Sequence, residues 1–144
     1  MTTETDARLT EILSRTRTIA LVGFSNNPDR ASHKVARYLA EQGYRVIPVN
    51  PGLAGQNFMG EDIVADLGQI PPDAKVDMLD VFRRSELAPA VVEAGIETLP
   101  DLKTVWLQIG VISQEAGAMA EARGLDFVED RCPKIEHARL FRQA

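Results

Sequence analysis

Cysteine is almost absent from this chain. Of 144 residues only Cys132 carries a thiol, which excludes an internal disulfide and any multi-cysteine metal site and makes a reducing, cytoplasmic setting the expectation. Histidine is nearly as scarce: His33 and His137 are the only two, and neither stands beside a nucleophile and a carboxylate as a catalytic set would, so both read as structural or solvent-facing. Positive charge is in deficit. Lys and Arg number 16 against 21 Asp and Glu, a net charge of -5, which argues against general affinity for nucleic acid or for an anionic membrane. No apolar run approaches membrane length, and residues 1–17 carry Glu4, Asp6 and Glu11 instead of the marks of a signal or transit peptide. Internal repeats, low-complexity runs and interdomain linkers are also missing. With 44% hydrophobic residues, one soluble domain spanning 1–144 is the expectation.

What the chain does have is one densely informative stretch, residues 19–32. Ile19, Ala20, Leu21 and Val22 run without a polar interruption, the pattern of a strand covered on both faces. Gly23 then lets the backbone turn, and Ser25, Asn26 and Asn27 supply short polar groups where main-chain N–H groups are expected to be free. Ser32 offers an N-cap to the following helix, whose positive dipole end favours an anion. Arg30 and Lys34 add positive charge to this phosphate cradle.

Around this stretch, helices and strands alternate. A short amphipathic helix is expected over residues 6–15, the first strand over 18–22, a helix over 33–42 stopped by Gly43, and a second strand over 44–49. Residues 60–67 are open between a short strand and a helical turn. Further strands are expected over 76–81, 104–109 and 126–128, with helices over 87–94 and 113–122 and a helical tail over 133–141. The alternation predicts an α/β, Rossmann-like, three-layer open sheet of about five mostly parallel strands, order 3-2-1-4-5, with helices on both faces. Ligands of such sheets settle beyond the strand C-termini where the strand order reverses, which points to residues 23–32, 50–55, 82–84 and 108–110.

A dinucleotide fingerprint is incomplete here. Counting from Gly23, the second and third glycine positions hold Ser25 and Pro28, and the second strand ends on Asn50 without an acidic residue for a ribose. No Walker A sequence follows the loop either. The motifs Gly23-Phe24-Ser25, Pro28-Asp29-Arg30-Ala31-Ser32, Pro48-Val49-Asn50-Pro51, Asp80-Val81-Phe82-Arg83-Arg84, Trp106-Leu107-Gln108-Ile109-Gly110 and Asp130-Arg131-Cys132-Pro133-Lys134-Ile135-Glu136 together resemble the small single-domain CoA-binding proteins of the YccU type. The fold of that family is similar to the N-terminal CoA-binding domain of the succinyl-CoA synthetase alpha subunit. The resemblance implies a cofactor, coenzyme A or an acyl-CoA, with Gly23, Ser25 and Asn26 at its phosphates or adenosine, Asn50 and Pro51 beside them, and Leu107 and Gln108 at a further contact. It also marks a departure. The synthetase has a lysine after its Pro-Gly, whereas this chain has Leu53, so a cation for the 3′-phosphate must come from Arg30, Lys34 or Arg83, or be missing altogether.

Several side chains admit two readings. Phe82 is either core or a ring stacked on adenine. Arg83 and Arg84 are adjacent, so one is expected to face the site, and Arg83 is the choice. Cys132 is either a small buried apolar residue or a thiol that exchanges with the CoA thiol. The candidate set for the cofactor is Gly23, Phe24, Ser25, Asn26, Asn27, Arg30, Ser32, Lys34, Asn50, Pro51, Phe82, Arg83, Leu107 and Gln108, with no catalytic or metal-ligating residue. The function expected is a non-catalytic CoA-binding module, with a further protein partner allowed. The alternatives are an NAD(P)- or other nucleotide-linked enzyme, and an interaction module with a decayed pocket.

Overall fold

A computed structural model describes residues 5–141, so residues 1–4 and 142–144 of the expected domain lie outside the described residues. The chain begins with α1 (Asp6–Arg15), whose Leu9, Ile12 and Leu13 are buried, then β1 (Thr18–Val22), α2 (Ala31–Glu41) and β2 (Arg45–Val49). A small antiparallel hairpin follows, β3 (Asn57–Phe58) with β4 (Glu61–Asp62). β5 (Met78–Val81), α3 (Ala88–Thr98), β6 (Thr104–Leu107), α4 (Gln114–Ala122), β7 (Asp126–Val128) and α5 (Pro133–Leu140) complete the order. No helix among the described residues is long and apolar enough to cross a membrane.

The five-stranded sheet is parallel throughout, in the order β2-β1-β5-β6-β7, with helices on both faces. The α/β, Rossmann-like class is as the sequence indicates, but the strand order is not. An order of 3-2-1-4-5 would have laid the third core strand outside β2, and β5 instead lies against the other edge of β1. The outer edge of β2 is already taken. Val64 forms a parallel bridge with Val49, its N–H donates to the Pro48 carbonyl, and the Asn50 N–H donates to the Val64 carbonyl. The ambiguous stretch 60–67 thus supplies β4, this one-residue edge and the start of a 3-10 turn at Leu67–Gln69. Having crossed from β1 to β2 in one direction, the chain must return past β1, and the strand order reverses between β1 and β5.

Two apolar clusters sandwich the sheet. One joins Ala20, Leu79, Val105 and Leu107 to Val92 of α3 and Ala116 and Ala120 of α4. The other joins Ile19, Leu21, Met78 and Trp106 to Leu9, Ile12 and Leu13 of α1 and Val35, Ala36 and Leu39 of α2. Cys132 belongs to the second cluster at 5% exposure, as its reading as a small buried apolar residue expects. His137 also has a packing role: its ring stacks on Phe141, and its Nδ1 lies 2.9 Å from the Tyr38 hydroxyl.

Asp80 is the exception in this core. The residue is wholly buried in β5, opposite Leu21 on one side and Trp106 on the other, and neither carboxylate oxygen has a hydrogen-bond partner among the described residues. Burial alone pushes its carboxyl well above the usual range, because the charged form has lost water and gained nothing in exchange.

Candidate binding crevice at the strand-order reversal

The first turn beyond β1 is built by close approach. Gly23 has φ +93°, and a Cβ there would lie 2.2 Å from the Phe82 carbonyl oxygen, so only glycine allows the β1 and β5 exits to sit side by side. The Gly23 and Phe24 N–H groups both donate to the Val49 carbonyl, at 3.1 and 3.3 Å. This anchors the loop to β2.

The loop that follows is more self-contained than its sequence suggests. The Ser25 N–H donates to Ser32 Oγ, the Asn27 N–H to Ser25 Oγ, the Asp29 N–H to Asn27 Oδ1, and the Arg30 N–H to the Asn27 carbonyl. The short polar side chains that pointed to a cradle are therefore spent on the loop's own amides, a local competition for which Ser and Asn are suited. Ser32 is also not the N-cap of α2. The helix starts one residue earlier, at Ala31, and Arg30 takes the cap position without a side-chain cap bond. In consequence the N–H groups of Ala31, Ser32 and His33 have no acceptor among the described residues. These are the open donors, and they sit at the positive end of an 11-residue helix.

His33 holds that end in place. Its ring stacks on Phe24 and meets Phe58 edge-on, with Nδ1 3.0 Å from the Ser25 carbonyl and Nε2 3.3 Å from Arg37 Nη2. The carbonyl needs a donor at Nδ1 and the guanidinium needs an acceptor at Nε2, which fixes the Nδ1–H tautomer.

Between the loop, the start of α2 and the exit of β5 lies a crevice of about 570 Å³, within the usual size range of a small-molecule site. It is lined by Gly23, Phe24, Ser25, Arg30, Ala31, Ser32, Asn50, Phe82, Arg83, Arg84 and Leu87. Phe24 contributes its backbone side, since the ring is 1% exposed and packed on His33 and Phe58. Asn50 lines the crevice with a side chain already in use: its Nδ2 donates to the Phe24 carbonyl at 2.7 Å, and its Oδ1 accepts the Gly52 N–H at 2.8 Å. Phe82 is half-buried, packed against the second core cluster, and also lines the crevice.

The crevice's charge is one-sided. Arg8, Arg15, Arg45, Arg131 and Arg139 all pair with carboxylates, whereas Arg30, Arg83 and Arg84 have no ion pair or side-chain hydrogen bond among the described residues. In a chain of net charge -5, three guanidinium groups without an ion pair among the described residues give this crevice a local positive charge, which favours an anion there.

Six of the residues singled out from sequence do not line it: Asn26, Asn27, Lys34, Pro51, Leu107 and Gln108. Asn26, Asn27, Lys34 and Pro51 are exposed outside its walls. Leu107 is wholly buried in the first core cluster, because alternation along β6 turns it toward α3 and α4. Gln108 is 5% exposed with its Oε1 unpartnered. Leu53, standing where the synthetase has lysine, packs against the second cluster. Ala31 and Arg84 fall within the stretches 23–32 and 82–84 expected to line the site but not within the candidate set, and Leu87 lies outside both. The choice between Arg83 and Arg84 assumed strand-like alternation, but the chain bends after Phe82, and both arginines line the crevice.

Fold and crevice together define an α/β protein with an arginine-lined crevice at the point where its strand order reverses. Residues 17–138 match the family model of the CoA binding domain, and the chain belongs to that family. It is 40% identical over 132 residues to YneT of Bacillus subtilis, described as uncharacterized, covering 92% of this chain and 93% of that protein. Among solved structures, it is similar to cell-free ID.343 from Thermus thermophilus (40% identity, 96% of this chain and 100% of that one, TM-score 0.86). It is also similar to Prb, a PH1109 protein redesigned for binding (34% identity, 100% and 97%, TM-score 0.90).

Proposed function

We propose that this protein is a single-domain module that holds the nucleotide end of CoA, with the pyrophosphate over the start of α2 and the 3′-phosphate among the arginines. The observation that carries the reading is the pairing of an uncapped helix start with three arginines that no acidic residue among the described residues neutralises. Backbone amides suit a phosphate at fixed geometry, and guanidinium groups suit a second phosphate whose position varies. Membership in the CoA binding domain family supports CoA as the anion.

Binding without catalysis is the role this crevice fits. Its lining residues include no carboxylate, imidazole, thiol or amine, and the hydroxyls of Ser25 and Ser32 accept backbone N–H groups with no base beside them. An NAD site is disfavoured by Pro28 in the loop and by Asn50, whose side chain is tied to the loop and the next turn.

Titration calorimetry with CoA and dephospho-CoA tests the proposal. CoA is expected to bind about tenfold more tightly, the worth of one charge-assisted contact, and Arg83→Ala is expected to narrow that gap. Equal affinities for the two ligands, or no heat with either, would overturn it.

A further inference from the structure

Two of the most exposed large apolar side chains of the fold stand on one loop beside the crevice. Ile109 and Ile112 are 58% and 56% exposed, on either side of Gly110 and the buried Val111 in the turn that leaves β6. This is not a loose segment. The Val111 N–H donates to the Gln108 carbonyl, the Gly110 N–H to Asp130 Oδ1 at 2.8 Å, and the Ser113 N–H to Glu129 Oε1 at 3.0 Å. Nor is it remote from the site. Ser85 lies between the crevice residues Arg84 and Leu87, and its Oγ accepts the Ile112 N–H at 2.9 Å and donates to the Gly110 carbonyl at 3.3 Å. The Ser85 hydroxyl thus ties the loop that carries the two isoleucines, an exposed apolar lip, to the segment that brings Arg84 and Leu87 to the crevice wall.

A fixed pair of exposed isoleucines is a surface that water leaves readily. The crevice supplies the other half of the recognition, since its arginines select a ligand whose one end is anionic. We propose that the lip receives the apolar arm of the same ligand, so that an acyl thioester of CoA binds more tightly than free CoA. This rests on the reading of the crevice as a CoA site. It assigns Ile109 and Ile112 to acyl preference, and it explains why a loop outside the charged pocket is braced by hydrogen bonds from two neighbouring segments.

The full chain should be titrated with CoA and with octanoyl-CoA, beside an Ile109→Ser/Ile112→Ser double variant. The wild type is expected to bind octanoyl-CoA about tenfold more tightly, roughly the transfer of two methylene groups out of water. The double variant should keep its CoA affinity and lose the octanoyl gain. Both residues are exposed, so the fold is expected to survive the change. Equal affinity of the wild type for the two ligands would overturn the inference, as would an octanoyl gain that persists in the double variant. Sedimentation showing a dimer that the double variant dissociates would assign the lip to a second copy and also overturn it. Failure of CoA itself to bind would instead sink the reading of the crevice, which separates the two failures.

Discussion

Gly23→Ala is expected to cost the fold about 3 kcal/mol or more, the sum of a left-handed backbone strain of about 1–2 kcal/mol and a steric clash. The clash is with fixed atoms. The new Cβ would lie 2.2 Å from the carbonyl oxygen and 2.9 Å from the carbonyl carbon of Phe82, whose N–H is itself bonded to the Val22 carbonyl at 2.8 Å. Relief requires the exits of β1 and β5 to part, and these are the two strands that frame the crevice. Gly43→Ala separates strain from clash, because Gly43 has φ +103° and nothing within 4 Å of its would-be Cβ. Urea denaturation of both variants gives the comparison, and Gly23→Ala should be the worse by at least about 1 kcal/mol. Equal losses would mean that the close approach to Phe82 matters little.

Asp80→Asn is expected to stabilise the protein at pH 8, since it replaces a buried ionisable carboxyl, whose charged form burial disfavours, by an amide that stays neutral at every pH. The pH dependence distinguishes this from a simple packing change. The folded carboxyl titrates above the ordinary value of 3.8, so below that value both states hold the proton and the group costs little. As pH rises above 3.8 the unfolded chain ionises first while the folded state keeps its proton, and wild-type stability falls until the folded group ionises too. The gap between variant and wild type should thus be smallest near pH 4 and widen toward pH 8. A gap that is constant with pH, or a variant less stable than the wild type, would show that Asp80 has a partner after all.

Much of the fold could be read from the sequence because it rests on local signals. Uninterrupted apolar runs mark β1, β2 and β6, helical spacing marks α1 and α2, and Gly43 and Gly124 with positive φ mark two helix ends. The strand order could not be read this way. It lies in the pairing of β5 with β1 and in the Val64–Val49 bridge on the other edge of β2, long-range contacts with no periodic signature in the sequence. The site divided similarly. Gly23 and Arg30 follow from their place after β1, and Asn50 from its place at the end of β2. The assignment of Ser32 as a cap failed because its hydroxyl turns back to the Ser25 N–H, a choice between two local hydrogen bonds that sequence spacing does not decide. Leu107 and Gln108 are buried and lie outside the crevice lining, because a residue at a strand end can face the core as readily as the rim.

The open amides of α2 can be observed directly. In a nitrogen-15 amide titration with CoA, the largest shifts are expected at Ala31, Ser32 and His33, with smaller ones at Arg83 and Arg84. Shifts that leave residues 31–33 unmoved while other parts of the surface respond would contradict an anion site at the head of that helix.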